Sequence, residues 1–225
     1  MQKGWLFFII AMLVFLIASG AIADEVYLRV AYVKKGPKID GKLDDEAWKI
    51  AEQKGGQGVL EWHLHGKPAT YKSDLFICFD DDNLYIAYKN YQKKDTVIAT
   101  FTTDGSPSWT KDDDIGSFIS TTYPATTWMQ ALSNPNSIRT TYNMGSNDSW
   151  DVACAVYDDY WVVEQCIPFD NFNVWPEAGD EWAGNFTRHI GANTGAGDIE
   201  WLSWSPLVKA TFLDATTMCL LEFVK

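Results

Sequence analysis

A chain of 225 residues with a net charge of −12 and no basic stripe argues against nucleic acid and anionic membranes as partners, because both need a cationic surface. Aromatic residues make up 15% of it, with 11 Trp. That is more than one core consumes, and an aromatic left in a loop is usually explained by ligand contact.

Met1–Ala23 holds Lys3, the apolar run Trp5–Ile17 and the small-x-small end Ala21-Ile22-Ala23, the three regions of a secretory signal. The run is shorter than the about 20 residues of a membrane span, and no Cys near the cut invites lipid attachment. An uncleaved N-terminal anchor is the alternative. The expected division is a signal peptide, 1–23, and one exported domain, 24–225, long enough for a substantial core. Removal of Lys3 takes the net charge from −12 to −13. Cys78, Cys154, Cys166 and Cys219 show no CxxC spacing. Export permits disulfides in any of three pairings, and buried thiols are the alternative.

Taken in order, Glu25–Val33 alternates as a first strand and Gly36-Pro37 breaks it. Asp40-Gly41 is a tight turn. Asp44 is placed to cap a short helix ending near Glu52, with Leu43 and Trp48 as a hydrophobic staple. Gly55–Gly58 reads as a loop and Glu61–His65 as an edge strand. Tyr71–Tyr91 is the central hairpin: Leu75, Ile77 and Phe79 share one face, Leu84, Ile86 and Tyr88 alternate in the second strand, and Asp80–Asn83 is the turn. Further strands are expected over Asp95–Thr103, Ile115–Tyr123, Thr126–Leu132 and Ile138–Asn143. Asp104–Asp114 is a polar loop centred on Trp109, and Asn134–Ser137 a turn. Trp150–Tyr157 and Tyr160–Ile167 form a second hairpin, and Pro168–Phe172 one helical turn. The last strands are Glu181–His189, Glu200–Trp204 and Met218–Val224, with glycine-rich Ala192–Asp198 between the first two. Trp175 reads as a core lid. This spacing predicts an all-β, antiparallel β-sandwich, jelly-roll or immunoglobulin-like, with a short N-terminal helix.

Five fragments in order, Ile39-Asp40-Gly41…Leu43-Asp44…Trp48, Asp80…Asn83-Leu84-Tyr85-Ile86, Val163-Glu164…Ile167-Pro168-Phe169, Gly179-Asp180…Gly184-Asn185-Phe186…Arg188 and Ser203-Trp204-Ser205, resemble the family 9 carbohydrate-binding modules and their relatives, which share a sandwich with haem-binding domains. The resemblance implies two aromatics clamping a terminal sugar ring while polar groups hold its hydroxyls. Its first aromatic falls on Trp109, its second on Phe212, its polar contacts on Asn134 and Asp114, with Trp204 beneath the site. Two positions depart from the pattern: Gly116 stands where a carboxylate is expected and Leu132 where an arginine is expected.

The chemistry of a clamp is plain. A pyranose has apolar C–H faces for an indole or phenyl ring and an equator of hydroxyls for planar polar groups. Trp109 could equally fold onto the sandwich edge. Asp112 and Asp113, with Asp114, offer hard oxygens to calcium, or form a solvated acidic loop. His63 and His65 share a strand face without a third metal ligand in view. No HExxH or nucleophile elbow is present and no acid pair is singled out for catalysis. The expected protein is therefore a secreted, non-catalytic, monomeric binder of an oligo- or polysaccharide end. The alternatives are a haem module using Met129, Met144 or His189, and a structural surface protein that has lost its sugar.

Overall fold

Period-2 alternation gives each strand two faces, and the fold is decided by what covers each. A computed structural model of the chain describes residues 26–64, 68–144, 149–191, 200–206 and 211–225. Its strands are β1 (Tyr27–Tyr32), β2 (Gln57–Val59), β3 (Trp62–His63), β4 (Ser73–Phe79), β5 (Asn83–Tyr91), β6 (Asp114–Ser120), β7 (Met129–Ser133), β8 (Thr140–Tyr142), β9 (Asp151–Val156), β10 (Tyr160–Pro168), β11 (Glu181–Ile190), β12 (Glu200–Ser203) and β13 (Cys219–Val224). They form one curled, mixed sheet in the order β8, β7, β6, β11, β13, β1, β4, β5, β10, β9. The ten-residue β11 serves two partners on the edge opposite β6: Glu181–Gly184 pair with β13, and Thr187–Ile190 with β12, which β3 extends. The expected all-antiparallel pairing fails at β1, which runs parallel to both β13 and β4.

The curl brings the two halves of the sheet face to face as a sandwich. Leu75, Ile77, Tyr88 and Val163 from one layer meet Ile115, Ile119 and Phe186 from the other in a single buried cluster. A polar thread crosses that core. Tyr88 Oη lies 2.7 Å from Ser117 Oγ, which donates to Gln165 Oε1 at 2.7 Å. Each of these hydroxyls would be costly to bury alone.

The outer face of β4 and β5 is covered by helix α1 (Glu46–Gln53), whose Ala47, Trp48 and Ala51 pack on Cys78, Tyr85 and Ala87. Leu43, at φ 53°, packs in the same cluster. The N-cap is Asp45 rather than Asp44, and it makes no side-chain capping bond; its carboxylate accepts from Lys38 N at 3.1 Å instead. The segment is held by Glu164 on β10, fully buried, which accepts from Asp40 N, Gly41 N, Leu43 N and Trp48 Nε1.

Several expected elements are corrected. Residues 97–103 form no strand. Their N–H groups go to carboxylates, with Ile98 N donating to Asp113 and Thr100 N and Phe101 N to Asp112, so no ladder is left to make. Asp114 opens β6 instead of closing the loop before it, β7 starts at Met129, and β8 is only three residues long. Gln57–Val59, inside the expected loop, adds as β2 to the edge of β4. Trp175 is 50% exposed and lids no core, whereas Trp48 and Trp204 are buried. Cys78, Cys154 and Cys166 are thiols, and burial pushes the latter two up to about 12; Cys219 Sγ lies 3.1 Å from Ser205 Oγ. Ala192–Asp198 and His65 lie outside the described residues. No helix among the described residues is long and apolar enough to cross a membrane.

Candidate functional site

The outer face of the other layer is not covered by a helix. Along β6, Ile115, Ser117 and Ile119 point into the core, so Asp114, Gly116 and Phe118 point outward. Antiparallel register extends this face sideways. His189 of β11 stands beside Asp114 and Thr187 beside Gly116. Leu132 of β7 flanks Gly116 on the other side and Gln130 flanks Phe118. Tyr142 of β8 lies beyond Gln130, and Trp201 of β12 beyond His189. These side chains floor a pocket of about 430 Å³, within the roughly 300–1,000 Å³ range of small-molecule sites.

The walls come from two loops. A 3-10 turn, Ser108–Thr110, carries Trp109, whose ring meets Tyr142 edge-on at 5.6 Å. Opposite β8, residues 211–213 bring Phe212 over the floor, 5.8 Å from Trp201 and 6.5 Å from Phe118. Trp128 packs edge-on against Phe118 at 5.3 Å, and its Nε1 donates to Leu213 O, tying the two sides together.

The position of Trp109 depends on carboxylates behind it. Asp112 Oδ1 accepts from Thr100 N and Oγ1, and Oδ2 from Phe101 N and Asn134 Nδ2. Burial opposes its ionisation, but these donors outweigh that and hold its carboxyl below the ordinary value. Asp113 Oδ2 accepts from Ile98 N and Gln92 Nε2, and Oδ1 from Gly191 N. All four oxygens of Asp112 and Asp113 face N–H and O–H donors and both residues are buried, so they are not the solvated acidic loop that stood as the alternative to calcium. Among the described residues no group of three or more His, Cys, Asp or Glu side chains is placed to hold a metal ion.

Asp114 behaves differently. It is buried against the pocket floor and accepts one bond, from Ser108 Oγ at 2.9 Å. Burial, reinforced by the charges of Asp113 and Asp112, raises its carboxyl well above the ordinary range, and the Ser108 bond offsets only part of this. His189 beside it is 1% exposed, lies tilted against Trp201 at 4.3 Å, and approaches the Asp112 backbone without completing a well-formed hydrogen bond at either ring nitrogen. Burial pulls its pKa down to about 4, so the ring is neutral.

Of the four residues expected at a sugar site, the structure brings Trp109, Asp114 and Phe212 into this one pocket and leaves Asn134 out of it. Asn134 is fully buried, bonded to Asp112 and Phe101 O and accepting from Asn136 N. Its place is behind the wall. The two departures from the family pattern, Gly116 and Leu132, are cross-strand partners in the floor. A Cβ at Gly116 would stand 2.9 Å from Leu132 Cδ2 and 2.7 Å from Thr187 Oγ1, so a side chain there requires both neighbours to shift. Trp204 lies on the core side, 5.6 Å from Phe186. Met129 packs in the main core, on the opposite face of the sheet from His189, and Met144 packs against that core as well. The structure therefore does not pair either methionine with His189 across one pocket.

Trp128, Tyr142, Trp201, Gln130 and Thr187 were not singled out by sequence reasoning. The alternation that places Asp114, Gly116 and Phe118 on one face was a usable signal. Carrying that face to neighbouring strands needs the register, which the linear sequence does not contain.

The fold is that of the family 9 carbohydrate-binding modules. A family 9 module from Caldicellulosiruptor kristjanssonii in complex with glucose superposes with a TM-score of 0.69 at 15% identity, over 88% of this chain and 95% of that one. The same kind of module from that organism in complex with cellotriose gives 0.68 at 15% identity, over 88% and 94%. A Bacteroides uniformis protein to which carbohydrate binding has been ascribed gives 0.65 at 17% identity, over 88% and 99%. No family model matches the sequence, and no curated protein matches it significantly.

Proposed function

We propose that the protein is an exported, non-catalytic carbohydrate-binding protein that holds the end of an oligo- or polysaccharide in the aromatic pocket. The observation that carries this reading is the pocket itself: Trp109 and Phe212 stand over a floor whose polar groups, Asp114, His189, Gln130 and Thr187, face a potential ligand. Rings stack on sugar C–H faces with little rotamer entropy to lose, and the floor supplies hydroxyl partners. The structural neighbours with glucose and cellotriose bound support the ligand class. Export rests on the leader-like Met1–Ala23.

The test is titration of the purified protein with mono- and oligosaccharides, read by intrinsic Trp fluorescence. A saturable shift with one sugar class is expected. A flat response across the panel, from protein shown folded by circular dichroism, would refute the reading.

A further inference from the structure

The pocket changes character along its length. At the β6 end marked by Asp114, the floor is polar: the Asp114 carboxyl lies beside His189, whose buried ring nitrogens make no well-formed hydrogen bond within the protein. Four residues further along β6, about 13 Å away, the floor is Phe118, enclosed by Trp128 and Phe212. Leu213, 59% exposed, forms part of the same wall. Trp128 offers no donor to a ligand, because its Nε1 is already bonded to Leu213 O. Between the two ends, Leu132 covers one side of Gly116 with hydrocarbon and Thr187 Oγ1 the other, and Gln130, beside Phe118, is the polar side chain nearest the aromatic end. An unsubstituted sugar has hydroxyls on its whole equator. Seated in this pocket, it would find partners at the Asp114–His189 end and at Thr187 and Gln130, and strand the hydroxyls that face Phe118, Trp128, Phe212 and Leu213, and such polar groups without partners are costly to desolvate.

We infer that the ligand is a sugar carrying a hydrocarbon substituent, a deoxy, alkyl or aryl derivative, with its hydroxyls at the Asp114–His189 end and its apolar group between Phe118, Trp128, Phe212 and Leu213. This rests on the carbohydrate reading above and narrows it. Buried hydrocarbon adds affinity at that end roughly in proportion to its area, while a hydroxyl there subtracts it.

The experiment is isothermal calorimetry of the purified protein. Glucose, galactose and mannose are each titrated as the parent sugar, the 6-deoxy sugar, the methyl glycoside and the phenyl glycoside, with cellotriose and phenol alongside. For at least one parent, a substituted form is expected to bind ten times more tightly or better, a difference of about 1.4 kcal/mol. Leu213→Ser, at an exposed wall position, is expected to cut that ratio at least threefold. Parents or cellotriose binding as tightly as every derivative would overturn the inference and leave the carbohydrate reading intact. Phenol binding as well as its glycosides, or no sugar binding in any form, would overturn both. An unchanged ratio in Leu213→Ser would overturn the placement of the apolar group.

Discussion

Trp48 Nε1 donates to Glu164 Oε1 across 2.8 Å, and the same carboxylate takes the backbone N–H groups of Asp40, Gly41 and Leu43. One buried side chain thereby fastens the turn before α1 to the middle of β10. Glu164→Gln would aim an amide N–H₂ at N–H donors. It is expected to lower stability by about 3 kcal/mol, seen as a lower denaturant midpoint at unchanged slope. Ligand affinity, measured well below that midpoint, should be unaltered, because α1 and the pocket occupy opposite outer faces of the sandwich.

Asp112 and Asp114 should show opposite pH dependences. The carboxyl of Asp112 is held below its ordinary value in the folded state, so its contribution is full above the unfolded value and disappears as pH falls through the folded one. Asp112→Asn should therefore cost most at neutral pH, and the loss should shrink in acid, below about pH 4. Asp114 is raised, so its ionisation penalises folding as pH rises from its ordinary value upward. Asp114→Asn should gain on the parent protein as pH increases from 4 to 8. Thermal unfolding of both variants across that range gives the two slopes, and parallel curves would contradict the assignment.

Trp109 is held on a 3-10 turn and touches Tyr142. Trp109→Ala should leave the far-ultraviolet spectrum unchanged and weaken sugar binding about tenfold or more, as removal of an aromatic anchor does. Unchanged affinity would take Trp109 out of the site.

Asn134 Nδ2 bridges Asp112 Oδ2 and Phe101 O of the 97–103 segment. Asn134→Ala leaves Asp112 short of a donor and should cost about 1–3 kcal/mol. Any loss of affinity should follow from misplacement of Trp109, so Trp109 fluorescence in the unliganded variant should already differ from that of the parent.

Gly116 and Leu132 should be energetically coupled. Gly116→Ala forces Cβ against Leu132 Cδ2 and Thr187 Oγ1 and should destabilise by about 1–3 kcal/mol. Leu132→Ala makes room, so the double variant should be more stable than the two single losses added together. Strict additivity would mean that Thr187 alone sets the clash.

Much of this was legible in the chain. The hairpin of β4 and β5, the role of Trp48 and the pairing of β9 with β10 follow from alternation and turn residues. The order of five fragments pointed to the sandwich. The 97–103 segment was misread because its alternation is strand-like, while its hydrogen bonds go to side chains more than ten residues away. Trp175 was misread because a Trp before Pro says nothing of what lies above it. The parallel setting of β1 has no local signature, and the pocket's mixed floor depends on register among five strands.

That setting of β1 also bears on how the protein is made. Tyr27 pairs with Leu220, so although β1 can meet β4 early, its other edge waits for almost the whole described chain before β13 exists. Contacts of such sequence separation form late and slowly. Until β13 arrives, β1 and β11 present unfinished sheet edges, the kind of surface that aggregates or engages chaperones. A ribosome-bound intermediate truncated before Cys219 should therefore remain protease-sensitive at both ends of the sandwich, and the fold should lock as one event when the last strand is released.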